Sequence, residues 1–242
     1  MKIAGMGLVS SLGRGVQRHR DGGRPAGRRV PAETLKDRHV LRGMRRADRF
    51  CAFATLAAYD ALTAGNATPD DTDDTMGIIL LTALGPQATT FGFLDDIIDY
   101  GEKEVSPIKF SHSVHNAAAY YVAAALGCRG PTTTIATFDD PFAKGIQLAG
   151  VWLSSGRARR VLVGCVEELS APFDHIHDHL LNPEQAARMR PFAFAMAPVE
   201  ALSEGAAFLL LTPSDDGADR LTGINMRTIA DLLAAAETFG NG

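Results

Sequence analysis

Clusters of histidine and acidic side chains are the first feature of this sequence that could support chemistry. In the run Asp174 to His179, three histidines alternate with other residues, and on a β-strand they would share one face: His175, His177 and His179. Such ligands can hold Zn²⁺. An isolated run of this kind in a loop is more often solvated, so we predict no intrinsic metal site.

Two further patterns bear on cofactors and nucleophiles. Gly5-x-Gly7 follows a short apolar strand, with Ser10 where a dinucleotide fingerprint has its third glycine. No helical pattern follows and no acidic residue ends a second strand, so we predict no nucleotide or other cofactor, and close backbone packing at these glycines. The sequence has no G-x-S-x-G motif, which would hold the nucleophilic serine of an α/β hydrolase. Cys165 lies inside an apolar strand, which is typical of an inert cysteine.

The elements that must position these residues follow from the hydrophobic pattern. Strands are predicted at 2–9, 76–84, 132–138, 160–166 and 206–212, and helices at 44–64, 89–99, 112–126, 141–155 and 226–238. This alternation predicts one α/β domain over 1–242, with a mixed, mainly parallel sheet and helices packed on it. Residues 214–242 are expected to form a polar and then helical tail.

Composition excludes several classes of protein. Of the 242 residues, 46% are hydrophobic and 21% are charged, which is unlike a disordered chain. No run of 18 apolar residues is free of charge, so no membrane span is predicted. The three cysteines are far apart and form no disulfide framework, which favours a reducing, cytoplasmic compartment.

Charge is unevenly distributed along the chain. Residues 14–49 hold twelve basic and four acidic side chains, a net +8, on a chain whose total charge is −4. Interleaved aromatic residues and a recognition motif are both absent, so we predict no nucleic-acid partner. The segment is either a solvated surface or a docking site for an acidic partner.

Several short motifs occur in the order in which a known family has them. They are KIAGMGLVSSLG (2–13), Ser106-Pro107, SVHNAA (113–118), Leu126-Gly127, Gly130-Pro131, Ser155-Gly156-Arg157, VLVG (161–164), Arg190-Pro191-Phe192 and Glu204-Gly205-Ala206-Ala207. This ordered set resembles the N-terminal half of β-ketoacyl synthases. The resemblance implies a thiolase-like fold, and the C-terminal half of that family has no counterpart in these 242 residues.

The resemblance also implies that this chain lacks the family's nucleophile. Active synthases carry a cysteine in T-A-C-S-S, where the helix N-terminus lowers the pKa of the thiol. Counting from Gly130-Pro131, this position is Asp139, within TFDDP (137–141). The carboxylate of Asp139 or of Asp140 is expected to cap the helix rather than attack a thioester. The family's two decarboxylating histidines, one in H-G-T-G-T, belong to its C-terminal half and have no counterpart here, so condensing activity is not expected.

Related subunits without the cysteine serve as chain-length factors in type II polyketide systems, including those that make aryl polyenes. The resemblance implies that this chain pairs with an active ketosynthase, or with itself, and shapes the acyl tunnel. Thr132 to Phe138 would be the strand at the dimer axis. Residues expected near the interface or tunnel are Thr134, Phe138, Phe142, His112, His115 and Tyr120. Acyl carrier protein would dock on the basic segment through Arg42, Arg45 and Arg46.

Two other functions stay open at this point. The chain could be a degenerate acyltransferase or another acyl-thioester enzyme that uses His115 or Asp139. It could also be a homodimeric structural protein that docks a carrier protein and has no tunnel.

Overall fold

The computed structural model describes residues 1–23, 27–138, 140–175, 203–214, 221 and 229–239. Its strands are β1 (Lys2–Ser10), β2 (Gly13–Arg14), β3 (Met76–Thr82), β4 (Thr132–Ala136), β5 (Arg160–Glu167) and β6 (Gly205–Thr212). Its helices are α1 (Gln17–Arg20), α2 (Arg49–Ala64), α3 (Gln87–Tyr100), α4 (Pro107–His112), α5 (Ala117–Leu126), α6 (Pro141–Ser154), α7 (Ala171–His175) and α8 (Ile229–Phe239). Short 3₁₀ turns cover Ala32–Lys36 and Pro69–Asp71.

The described strands form one mixed sheet in the order β2-β1-β6-β5-β3-β4. Strand β3 pairs in parallel with both β4 and β5, and β6 lies antiparallel between β1 and β5. β1, β3, β4 and β5 therefore run in the same direction, which confirms the mixed α/β fold. Every residue of β3 is buried, as its uninterrupted apolar run predicts for a strand covered on both faces.

Helices cover the two faces of the sheet and create two apolar clusters. On one face, α2 and α5 pack through residues such as Phe53, Leu56 and Val122. On the other, α6 and α8 pack through residues such as Phe142, Trp152 and Leu232. Helix α2 begins at Arg49 rather than at residue 44, because the Asp48 side chain caps it by accepting a hydrogen bond from the Cys51 N–H.

The two glycines of β1 let α2 lie directly on the sheet. A Cβ atom at Gly7 would stand 2.0 Å from the Ala57 carbonyl oxygen, and one at Gly5 would stand 2.2 Å from that of Ala61. Close backbone packing is thus the role of this glycine pattern, as the sequence indicated.

Two local features differ from the sequence-based prediction. Helix α4 lies almost entirely outside the predicted helices, because six residues are too few to show helical periodicity. Residues 13–40, for which no strand or helix is predicted, contain β2, α1 and a 3₁₀ turn. Within the described part of the chain, no helix is long and apolar enough to cross a membrane.

Candidate functional site

The candidate site lies where three parallel strands end. β3 ends at Thr82, β4 at Ala136 and β5 at Glu167, so the segments that follow these strands meet at one edge of the sheet. The N–H of Thr137 donates to the carbonyl oxygen of Thr82 at 2.9 Å and joins two of these segments. Ligand sites of open α/β sheets lie at this edge.

Helix α6 begins at this edge with an unusual backbone turn. Asp140 has φ 39° and ψ 65°, a left-handed conformation that few non-glycine residues adopt. Its side chain accepts no capping hydrogen bond, so the expectation of a cap at this residue is wrong for Asp140. Pro141 follows at the first helical position, where its fixed φ suits a helix start. Asp139, the expected nucleophile position, lies outside the described residues.

A lysine that the sequence analysis missed lies beside this turn. The Lys144 ammonium group donates to the Thr137 hydroxyl at 2.9 Å and so joins α6 to the segment after β4. A lysine one turn into a helix carries no distinctive sequence signal, so only the structure identifies this contact.

The carboxyl group of Glu167 organises the segment after β3. It accepts hydrogen bonds from the Thr82 hydroxyl at 3.0 Å, from the Ala83 N–H, and from the Leu84 N–H at 3.1 Å. Burial raises the pKa of Glu167 to about 8, although these three donors oppose the rise. Glu167 is therefore largely protonated at neutral pH.

Glu168 and Glu204 continue this acidic cluster. Glu168 accepts from the Ala88 N–H at 2.6 Å, and burial raises its pKa to about 7, with Asp48 and Glu204 adding to the rise. Glu204 is almost fully buried and accepts from the Val30 N–H at 2.9 Å and the Leu169 N–H at 3.3 Å, and it pairs with Arg49. The sequence signal for this cluster was the Glu-Glu pair directly after a buried strand.

None of the three cysteines is suited to act as a nucleophile. All are buried and free. Burial raises the pKa of Cys128 to about 11 and the pKa values of Cys51 and Cys165 well above the ordinary thiol value. Each is therefore a neutral thiol at physiological pH, and the inert reading of Cys165 agrees with the structure.

Several residues expected at an interface lie on or near the edge strand β4. Thr134 lies in this strand, which pairs only with β3 among the described strands. Phe138 follows it with 51% of its surface exposed, and Tyr120 on α5 is 68% exposed. Phe142 has a different environment, because it is buried among the apolar residues between α6 and the sheet.

Of the two candidate histidines, His112 is the last residue of α4 and His115 lies between α4 and α5. His112 forms a 2.8 Å hydrogen bond with the Tyr121 hydroxyl. The ring of the exposed His115 rests against Gly85, where a Cβ atom would stand 2.8 Å from it. Neither histidine has a described acidic partner.

The remaining candidates are on the surface or only partly described. Arg42, Arg45 and Arg46 are exposed, and no ion pair of theirs is found among the described residues. His175 ends α7, whereas His177 and His179 lie outside the described residues. Within the described chain, no group of three metal-binding side chains occurs.

The fold and the site define an α/β protein whose helix α6 starts in a strained turn beside an edge strand. The sequence profile of the β-ketoacyl synthase N-terminal domain matches residues 26–219. This chain belongs to that family. No curated protein sequence matches it.

Solved structures of ketosynthases share this fold. The ishigamide ketosynthase/chain length factor superposes with a TM-score of 0.72 at 23% identity, over 90% of this chain and 63% of that one. A β-ketoacyl synthase from Burkholderia phymatum STM815 gives 0.70 at 20%, over 89% and 60%. A type II polyketide synthase acyl-carrier protein in complex with its ketosynthase gives 0.68 at 21%, over 86% and 61%. The chain thus spans less than two thirds of the length of these proteins.

Proposed function

We propose that this protein is a non-catalytic, chain-length-factor-type partner of an active β-ketoacyl synthase. The observation that carries the proposal is the residue at the family's nucleophile position, which is Asp139 rather than cysteine. The three cysteines that the chain does have are buried neutral thiols elsewhere in the fold. Without a cysteine thiolate at the start of α6, the chain lacks the nucleophile with which the family accepts an acyl chain from a thioester.

The edge strand supports a role as a partner. An edge strand offers unpaired backbone N–H and C=O groups to another strand. The exposed Phe138 follows β4 in the chain, and the exposed Tyr120 lies on α5, a helix that contacts β4. Large exposed apolar side chains mark interaction surfaces. We propose that β4 pairs with the synthase and that Tyr120 and Phe138 lie at the joint interface, close to the acyl tunnel.

The basic segment supports carrier docking. Lys36, Arg38, Arg42, Arg45 and Arg46 are all exposed within eleven residues of chain. Acyl carrier proteins are generally acidic, and one of the similar structures holds a carrier protein with its ketosynthase. Exposed positive charges close together in the chain would speed the encounter with such a partner.

Co-expression tests the proposed pairing. The tagged chain is produced together with the full-length ketosynthase encoded nearest to its gene. The mass of the purified complex is then measured by sedimentation and native mass spectrometry. We expect a stable complex of the two chains and condensation of acyl and malonyl thioesters by the complex. The chain alone should give no condensation above a control without protein.

A matched pair of variants locates the interface. Tyr120→Lys combined with Phe138→Lys should weaken the complex at least tenfold, because two charges would be buried against an apolar surface. Gln17→Lys, in exposed α1 near the opposite end of the sheet, should leave it unchanged. Condensation by the chain alone, or equal loss of binding in both variants, would contradict the proposal.

A further inference from the structure

Helices α3 and α4 form a hairpin that is weakly embedded in the fold. Gln87 is the only buried residue of α3, and α4 has none. The hairpin is held together internally by contact of the Phe93 and Phe110 rings, 5.6 Å between centroids, and by a 2.8 Å ion pair between Lys109 and Asp96. Its attachment to the body of the protein therefore depends on a few polar contacts rather than on an apolar core.

Those polar contacts converge on the start of α3. The Glu168 carboxyl group accepts from the Ala88 N–H at 2.6 Å, and the Ser170 hydroxyl donates to the Gln87 side chain at 2.5 Å. The Thr89 hydroxyl donates to Asp48 at 2.7 Å. Glu167 holds the segment from Thr82 to Leu84, which leads into the helix.

The two glutamates sit in an acidic environment. From α2, Asp48, Arg49 and the neutral thiol of Cys51 face Glu168. From the segment before β6, Glu204 faces it too. Arg29 reaches the same cluster through Glu204, at 3.5 Å. Cys165, a neutral thiol, is the remaining titratable group facing Glu167 from β5. If both glutamates ionise, two negative charges are added to a cluster in which Glu167, Glu168 and Glu204 are almost fully buried.

We propose that Glu167 and Glu168 form a pH-sensitive latch that holds the α3–α4 hairpin closed while they are protonated and loosens it as they ionise. Both groups have pKa values raised above the usual glutamate value, to about 8 and about 7, with burial as the main cause. In an opened state the groups meet water and regain ordinary values near 4.3. The closed state is thus favoured most below about pH 4.5, and this advantage is lost as the pH rises to 7–8.

Besides the position of the α3–α4 hairpin, the latch would control the exposed apolar side chains that the hairpin carries. The hairpin exposes Ile98 to 80% and also exposes Tyr100 and Phe110, so its position decides whether these apolar side chains form one fixed patch. Ordering of the patch would be greatest at mildly acidic pH. This inference concerns the chain alone and does not depend on its having a ketosynthase partner.

Hydrogen exchange at several pH values tests the latch. Peptides that cover 82–90 are followed from pH 5 to 8.5, with rates corrected for intrinsic chemical exchange. For each proton released on opening, the protection factor should fall about tenfold per pH unit until the closed-state pKa is passed, and should then level off. Peptides from the core of α2 serve as the internal reference and should not show this slope.

Variants assign the effect to the carboxyl groups. Glu168→Gln and Glu167→Gln should each flatten the slope, and Glu102→Gln, an exposed glutamate after α3, should keep it. A protection factor for 82–90 that is flat from pH 5 to 8 in the unaltered protein overturns the proposal, and this measurement decides even if a variant fails to fold. A slope that persists unchanged in both Gln variants overturns it equally.

Discussion

Asp140 holds its backbone in a conformation that costs an L-residue free energy, at φ 39°. Left-handed backbone costs a residue with a Cβ atom about 1–2 kcal/mol, whereas glycine adopts it readily. Asp140→Gly and Asp140→Ala remove the same side-chain interactions. We therefore expect the Gly variant to be more stable than the Ala variant by about 1 kcal/mol, measured by urea denaturation.

An aspartate inside a helix provides the control for this residue. Asp60 lies in α2 and accepts from Arg14 at 2.8 Å. Here the order should reverse, with Asp60→Ala more stable than Asp60→Gly by about 1 kcal/mol, because helix propensity favours alanine. If the Ala variant were more stable than the Gly variant at both positions, the turn at Asp140 would not be strained.

At the scale of elements, replacing glycine by alanine is expected to have opposite effects on stability in two helices. In α3, a Cβ atom at Gly92 would meet only the Lys109 ammonium group, at 3.9 Å. In α6, a Cβ atom at Gly145 would stand 2.7 Å from a methyl carbon of Val163 and 2.9 Å from one of Leu81. The difference arises because α3 stands on the surface whereas α6 is pressed against β3 and β5.

Gly92→Ala should stabilise α3 by about 0.5–1 kcal/mol through helix propensity, seen as slower hydrogen exchange in that helix. Gly145→Ala should lower the free energy of unfolding by about 1–3 kcal/mol, because the added methyl overpacks the core. Denaturation of both variants beside the unaltered protein checks the pair. A neutral Gly145→Ala would contradict the close contact of α6 with the sheet.

At the scale of the whole molecule, the question is whether the basic segment docks acyl carrier protein or is only solvated. Arg42, Arg45 and Arg46 replaced together by Ser should weaken association with acyl carrier protein at low salt. The difference from the unaltered protein should shrink as salt rises, because the screening length falls to about 10 Å at 0.1 M. Surface plasmon resonance at several salt concentrations measures both effects.

A second triple variant distinguishes the effect of charge in the basic segment from the effect of net charge. Arg129, Arg157 and Arg159 are also exposed, and their replacement by Ser changes the net charge equally. They lie just before β4 and β5 in the chain, at the sheet edge opposite the one where these strands end. Equal weakening by both triple variants, with folds intact by circular dichroism, would mean that net charge alone matters and would reject a docking site.

Much of the fold was predictable from local patterns. The five predicted strands occur close to their expected bounds, because a buried strand needs an unbroken apolar run such as that of β3. The ordered motifs identified the β-ketoacyl synthase family, which the profile match over 26–219 confirms. Of the candidate residues, the sequence predicted the start of α6 and the exposure of the basic segment, since both follow from residue type and position along the chain. Docking of a carrier protein there stays a prediction.

Tertiary structure decided the contacts between residues that are distant in sequence. The sequence does not show that β6 inserts antiparallel between β1 and β5, or that Glu204 meets Val30 and Leu169. Nor does it show that Glu167 binds the segment after β3, or that Asp140 takes a left-handed backbone against its own preference. Periodicity reports which face of an element is apolar, whereas these contacts depend on which elements pack together. The raised pKa values at the site follow from that packing, because burial is what removes the carboxyl groups from water.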